Sequence, residues 1–527
     1  MSYTSIIFAF FIVAVTFAYF ITPLKFRWLV LLIASYAFYY LSSGLGLMVY
    51  LFTTTISIFS LAIIIEKFEL KAKKTIKETE GLDKEGKRKI RNAAKSKKRV
   101  CVLIGLLLNL GILAYFKYLN FIIVNIDALF NFDIEPTTLL VPLGISFYTF
   151  QSTGYLIDVY RGKFEADRNL AKFALFTSFF PQIVQGPISR YDQLAHQLYE
   201  GHRFDYTRVK HGVQLIIWGC FQKLIIADRA FVLANYMLDN YTEYKGFEVL
   251  IGMFAIAIRS YTDFSGGIDI SRGVAQILGI DMVKNFRQPY FATSIRDYWS
   301  RWHVTLGQWF RDYFYYSLLF SKGWRSFINW SQDHLGKYFG KIFPVAIGMA
   351  FTFFLVGIWH GAAWKYMLFG VFNGTLVLIG ILMMPILKTL NDKYNLVKIE
   401  ALSWRILLSI GVFCIICTSK LITGANGVNQ SFTLFKAIFA EFNPWIFLDG
   451  SMFELGLDQA QFTVFIFGVI VLFFADLLRE MGLSLRESLD KQNTYFRWII
   501  TFGGIILVVI FGVYGSSEVP DFIYQQF

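Results

Sequence analysis

Apolar runs recur along this chain from one end to the other, separated by short polar intervals. Residues 6–20, 28–40, 47–65, 100–113 and 118–129 form the first five. Residues 213–233, 247–257, 343–358, 364–384, 404–422, 462–474 and 498–513 follow. A helix of about 18 or more apolar residues crosses roughly 30 Å of hydrocarbon, so each run predicts a crossing, the shorter ones extended on either side. Alternation with a period of two over segments of about ten residues, the mark of a membrane barrel, does not stand out. The pattern predicts an all-α polytopic membrane protein with about eleven to thirteen crossings.

Between residues 139 and 188 the pattern changes. Pro142, Gly144, Gly154, Pro181, Gly186 and Pro187 punctuate a long mixed stretch. Unpaired backbone cannot face lipid, so this punctuation predicts broken or re-entrant helices held inside protein and lining a cavity. The polar stretches 391–403 and 479–494 read as loops. With no internal repeat and no low-complexity linker, residues 1–527 read as one membrane-embedded domain.

Composition agrees. Of 527 residues 56% are hydrophobic and 17% charged, too few charges to cover a soluble surface. The charge is also local: residues 67–99 hold 14 Lys or Arg against 5 Asp or Glu, which is +9 of the chain's +13. An excess confined to one segment does not suggest nucleic-acid binding. It predicts a basic cytoplasmic loop beside anionic membrane lipid, and the three preceding crossings would put the N-terminus outside. The first run has no basic residues before it and no small-residue cleavage site, so it reads as a retained span. Cys414 and Cys417 have C-x-x-C spacing inside an apolar run, with no second pair to complete a site, and no metal is expected.

Candidate chemistry rests on two of the six histidines. His360 lies in Phe353-Phe-Leu-Val-Gly-Ile-Trp-His-Gly-Ala-Ala-Trp364, where an ionisable group is costly and therefore functional by default. An imidazole that is neutral near pH 7 can take a proton from a hydroxyl or thiol nucleophile. Trp359 and Gly361 flank it. His303 ends Asp297-Tyr-Trp-Ser-Arg-Trp-His303, a segment opened by a capping box at Ser294 and Asp297. Helical spacing puts Trp299, Trp302, Leu306, Trp309 or Phe310, and Tyr313 on one greasy stripe. It puts Arg296, Ser300, His303, Gly307 and Arg311 on another, so His303 is expected to share a face with two guanidiniums suited to phosphate. Asp263, Asp269 and Arg272 interrupt a third apolar stretch, in which an internal ion pair is expected and Gly266-Gly267 should break the helix.

Asp263-Phe-Ser-Gly266, Asn285-Phe-Arg-Gln-Pro-Tyr290, Asp297–His303, Trp309-Phe-Arg-Asp-Tyr313 and Gly357-Ile-Trp-His-Gly-Ala362 together resemble the membrane-bound O-acyltransferase (MBOAT) family. Leu31-Leu-Ile-Ala-Ser-Tyr-Ala-Phe-Tyr39 and Phe511-Gly-Val-Tyr-Gly-Ser-Ser517 are similar to its alginate O-acetylation (AlgI-like) branch. The resemblance implies a ring of tilted helices, with re-entrant or interfacial ones, around a central tunnel. It implies that His360 is catalytic and that His303 is the second motif histidine. Arg296, Arg311, Trp299, Trp302, Trp359 and Asp263 are then candidates for binding the donor or lining the tunnel. The donor implied is an acyl thioester, acetyl-CoA or an acyl carrier protein. The acceptor implied is an extracellular polysaccharide, reached directly or through an extracytoplasmic acetyltransferase partner. D-alanyl transfer to a cell-wall polymer stands as the alternative within the family, and a transporter without chemistry as the alternative outside it.

Overall fold

The computed structural model of the chain describes residues 1–395, 397–398, 400–514 and 522. Of the ending quoted above, Gly515 to Ser517 lie outside the described residues. Among the described residues the chain is helical without a strand. Among the described residues eight helices are long and apolar enough to cross a membrane, and Ile6–Ile21 is a shorter apolar helix before them. Further expected crossings fall within Tyr206–Cys220, Asp228–Asp239 and Phe247–Ile277, helices with ionisable residues among their apolar ones. The protein is a multi-pass membrane protein.

The chain divides into two compact units, Met1–Gly212 with Ser271–Val283, and Val213–Ile270 with Lys284–Phe527. In the first, the basic segment is not a loop. Helix Leu45–Glu78 runs through it, turns, and returns as Lys84–Phe130. The Asp83 side chain caps the return by accepting the Gly86 amide at 2.7 Å. Exposed pairs one turn apart, Glu69 with Lys73 and Glu85 with Lys89, suit a helix better than a loop. Lys98 bonds Glu69 across the hairpin at 2.8 Å. The runs 100–113 and 118–129 are likewise one helix, because the polar residue between them, Lys117, is no helix breaker.

The punctuated stretch is divided into separate buried helices. Helix Ile145–Arg161 is buried on nearly every side, and two short helices, Leu170–Ser178 and Phe180–Ile183, follow it inside protein. Some of their polar side chains pair there: Gln151 donates to the Phe176 carbonyl at 2.9 Å, and Gln182 donates to Gln151 at 2.7 Å.

In the second unit, helices approach closely at glycines. Phe339–His360 and Trp364–Tyr394 form a hairpin in which Gly357 lies against the backbone of Tyr366 and Gly370, and Gly374 against Ala350. A Cβ at Gly357 would stand 2.4 Å from the Tyr366 carbonyl oxygen, and one at Gly370 would stand 2.8 Å from that of Phe353. Gly370 and Gly374 have the G-x-x-x-G spacing that lets membrane helices approach closely. Gly266 has the same use. It does not break helix Phe247–Ile277, which runs through it, and a Cβ there would stand 2.8 Å from the Gly219 carbonyl oxygen. A glycine packed in this way gives the helix a close backbone contact in place of the missing side chain.

Candidate active site

His360 is the last residue of helix Phe339–His360, half-buried, its ring edge-on to Phe369 at 5.5 Å and 5.0 Å from the Trp359 ring. Gly361 is required after it: a Cβ there would meet the Tyr366 ring at 2.3 Å. The chain then turns into helix Trp364–Tyr394, which supplies Phe369.

His303 reaches the same cluster from another direction. The capping hydroxyl of Ser294 accepts the Asp297 amide at 3.0 Å, starting helix Ile295–Arg301. The Asp297 carboxylate takes the Thr293 amide at 3.2 Å and the Arg301 guanidinium at 2.9 Å. Arg301 also grips Glu480 with both terminal nitrogens, at 2.6 and 3.1 Å. The helix stops there. His303 has φ 45°, a left-handed conformation uncommon outside glycine, and a second short helix, Val304–Trp309, begins after it.

That break corrects the stripe expected from helical spacing. His303 is 3% exposed, whereas Arg296, Ser300, Gly307 and Arg311 are on the surface. Arg311 faces Asp312 at 2.9 Å. Because the left-handed residue redirects the chain, His303 shares no face with the two guanidiniums. The greasy stripe survives: Trp302, Leu306, Phe310 and Tyr313 are buried and Trp299 is partly so.

The His303 ring is edge-on to Phe264 at 4.8 Å and lies 6.0 Å from the Trp359 ring. Trp359 therefore touches both imidazoles. Trp299 joins through Phe353 at 5.2 Å and Phe369 at 6.0 Å. Asn285 fixes the orientation of His303. Its amide nitrogen lies 3.1 Å from Nδ1 and its amide oxygen 3.2 Å. That oxygen already accepts the Thr305 amide at 3.1 Å and the Thr305 hydroxyl at 2.9 Å. The arrangement that satisfies all these groups has the amide nitrogen donating to Nδ1, which leaves the ring proton on Nε2. His303 sits between two short helices, outside the spanning ones. Burial, and after it the Lys420 ammonium, pushes its pKa down to about 3. It is a neutral imidazole.

Asp263 points elsewhere. It accepts the Lys223 ammonium at 2.7 Å, and Lys223 also meets Asp228 at 2.8 Å, all three buried. The expected internal ion pair is present, and its motif reaches the candidate site through the next residue, Phe264. Phe264 and Asn285 both stand in segments quoted for the resemblance, although neither was singled out as a site residue.

Lys420, in helix Leu402–Gly424, was not anticipated. Its ammonium lies 3.7 Å over the Trp302 ring, and among the described residues it meets no carboxylate or hydrogen-bond acceptor. A desolvated cation–π contact is worth about 2 kcal/mol. An ion leaving water loses several kcal/mol. A lone lysine in an apolar helix was the available signal.

A family model for membrane-bound O-acyltransferases matches residues 166–329, which include Asp263, Asn285 and His303; His360 lies beyond them. The chain is 31% identical to a probable alginate O-acetylase AlgI of Azotobacter vinelandii, over 68% of this chain and 65% of that protein. It is 30% identical to its Pseudomonas putida counterpart over 69% and 67%. It is 30% identical to a teichoic acid D-alanyltransferase of Bacillus subtilis over 46% and 59%. The match thus spans about two thirds of the length of the alginate relatives.

Proposed function

The chain belongs to the membrane-bound O-acyltransferase family, and from that premise we propose that it moves an acetyl group from a cytoplasmic thioester, acetyl-CoA, to a hydroxyl on the far side of the membrane. The observation that carries this reading is the meeting of two imidazoles from distant segments on one ring, Trp359.

In this reading His360 is the general base. The acceptor hydroxyl gives its proton to the imidazole as its oxygen attacks the thioester carbonyl. The C–O bond forms, the C–S bond breaks, and the thiolate takes the proton back from the imidazolium. A thioester is already activated, so the protein's work is alignment and proton handling. His303, neutral with its proton on Nε2, is suited to donate to the carbonyl oxygen rather than to act as base. Trp359, Trp299 and Trp302 wall the reacting atoms from water. Arg296 and Arg311, exposed on the surface, suit the phosphates of the arriving donor.

The names of the alginate relatives support an extracellular polysaccharide as the final acceptor, reached directly or through an extracytoplasmic acetyltransferase partner. The location proposed is the bacterial plasma membrane, with the basic helical hairpin cytoplasmic and the N-terminus outside. The Bacillus relative's name favours a second reading, D-alanyl transfer, for which the donor we propose is a loaded carrier protein.

The test compares wild type with His360→Ala at equal folded yield. Acetyl esters on extracellular polymer, and thiol release from labelled acetyl-CoA in membranes, should vanish in the variant. Retained acetylation refutes the assignment. Thiol release only from a D-alanyl-loaded carrier selects the second reading, and movement of an intact solute selects a transporter.

A further inference from the structure

The mechanism above makes no use of Lys420. Lys420 is 7% exposed, and its ammonium rests against the face of Trp302 without an acceptor among the described residues. Trp302 directly precedes His303, and the Lys420 charge acts on the His303 imidazole. The indole N–H of Trp299, in the same aromatic cluster, also meets no acceptor among the described residues. A cation placed so is costly, and an ionisable group inside a spanning helix is functional by default.

We infer that Lys420 is the cation that stabilises the negative charge developing on the donor's carbonyl oxygen. The inference rests on the acyl-transfer reading. As the acceptor oxygen bonds to the carbonyl carbon, the carbonyl π pair moves onto its oxygen. The Lys420 ammonium donates a hydrogen bond to that oxygen and transfers no proton. When the C–S bond breaks the carbonyl re-forms, and the proton that left the hydroxyl goes from His360 to the thiolate. A single ammonium sealed against an indole suits one transient charge. The phosphates of a thioester donor are several charges on a hydrated group, better matched by guanidiniums at a surface. Donors fixed in advance at the site of developing charge are the usual largest contribution to such catalysis.

The test uses the full chain in membranes, acetyl-CoA as donor and polymer extracted from the host as acceptor. Lys420→Met keeps the stem and removes the charge. Its kcat should fall about 10²- to 10³-fold, with little change in KM for acetyl-CoA. Lys420→Arg should recover part of the loss. An unchanged kcat in Lys420→Met overturns the inference, as does a rise in KM alone, which would mark a donor-phosphate contact. Should Lys420→Met not fold, Lys420→Gln supports the same comparison, and a kcat within a few-fold of wild type overturns it. The two readings fail differently. A wild type that releases no thiol from acetyl-CoA or from a D-alanyl carrier removes acyl transfer, and Lys420's role with it. An active wild type, an inactive His360→Ala and a fully active Lys420→Met remove the Lys420 inference alone.

Discussion

Asn285 and His303, eighteen residues apart, meet side chain to side chain in the buried core, amide nitrogen to Nδ1 at 3.1 Å. Thr305 locks the amide by giving its oxygen two hydrogen bonds. The pair therefore sets both the direction of the imidazole and the nitrogen that carries its proton.

Asn285→Ala removes that control and should lower acetyl transfer about 10²-fold, the scale of a misaligned catalytic group. Asn285→Asp should be as poor, because a carboxylate accepts from Nδ1–H and moves the ring proton off Nε2. Nitrogen NMR of labelled histidine checks the tautomer directly. A wild-type signal for Nδ1–H would sink the assignment.

The His303 pKa of about 3 has a consequence for stability. An unfolded histidine titrates near 6.5. Between those values the unfolded chain binds the proton and the folded chain does not, so stability rises with pH through this window. The contribution is fully present above about pH 6.5 and is lost as pH falls toward 3, by at most about 1.4 kcal/mol per pH unit. Carboxylates titrate in the same window, so the measurement is a difference: Tm against pH for wild type and for His303→Gln. The wild-type curve should fall more steeply below pH 6.5. Parallel curves would mean that His303 is not held neutral by burial.

Much of this architecture was legible in the chain, for physical reasons. Hydropathy reports what faces lipid, so the spanning helices followed from it. The price of an ionisable group in an apolar run pointed to His360 before any contact was known. What sequence spacing missed was tertiary. Nothing local marks His303 as left-handed, so helical spacing alone runs one stripe through the break. Gly266 looks like a breaker in the sequence because its partner, the backbone at Gly219, comes from a distant segment. Lys420 meets Trp302 from 118 residues away, a contact without local signature.

The glycines on the hairpin whose first helix ends at His360 should be unequal. Gly357→Leu forces a side chain into the backbone of Tyr366 and Gly370 and must part the helices, displacing His360 with them. Overpacking of this kind costs about 1–3 kcal/mol or more. Gly380, in the same helix as Gly370, has nothing within 4 Å of an added Cβ. Gly380→Ala should leave melting temperature and acetyl transfer as they are, while Gly357→Leu lowers both. Equal behaviour of the two variants would argue against the close-packed hairpin.

Asp263 separates structure from chemistry. It stands in a motif quoted for the family resemblance, yet its carboxylate is engaged by Lys223, and it is Phe264 that touches His303. Asp263→Asn leaves Lys223 with Asp228 alone, and breaking a buried ion pair costs about 3–5 kcal/mol. Lys223→Met is the harsher change, because it leaves two buried carboxylates without their shared cation. Both should lower the melting temperature in detergent, Lys223→Met further. Specific activity per folded Asp263→Asn molecule should stay within a few-fold of wild type, whereas Phe264→Ala should lower it at smaller cost in stability than Lys223→Met. A fully folded, inactive Asp263→Asn would reverse that assignment and put the carboxylate in the reaction itself.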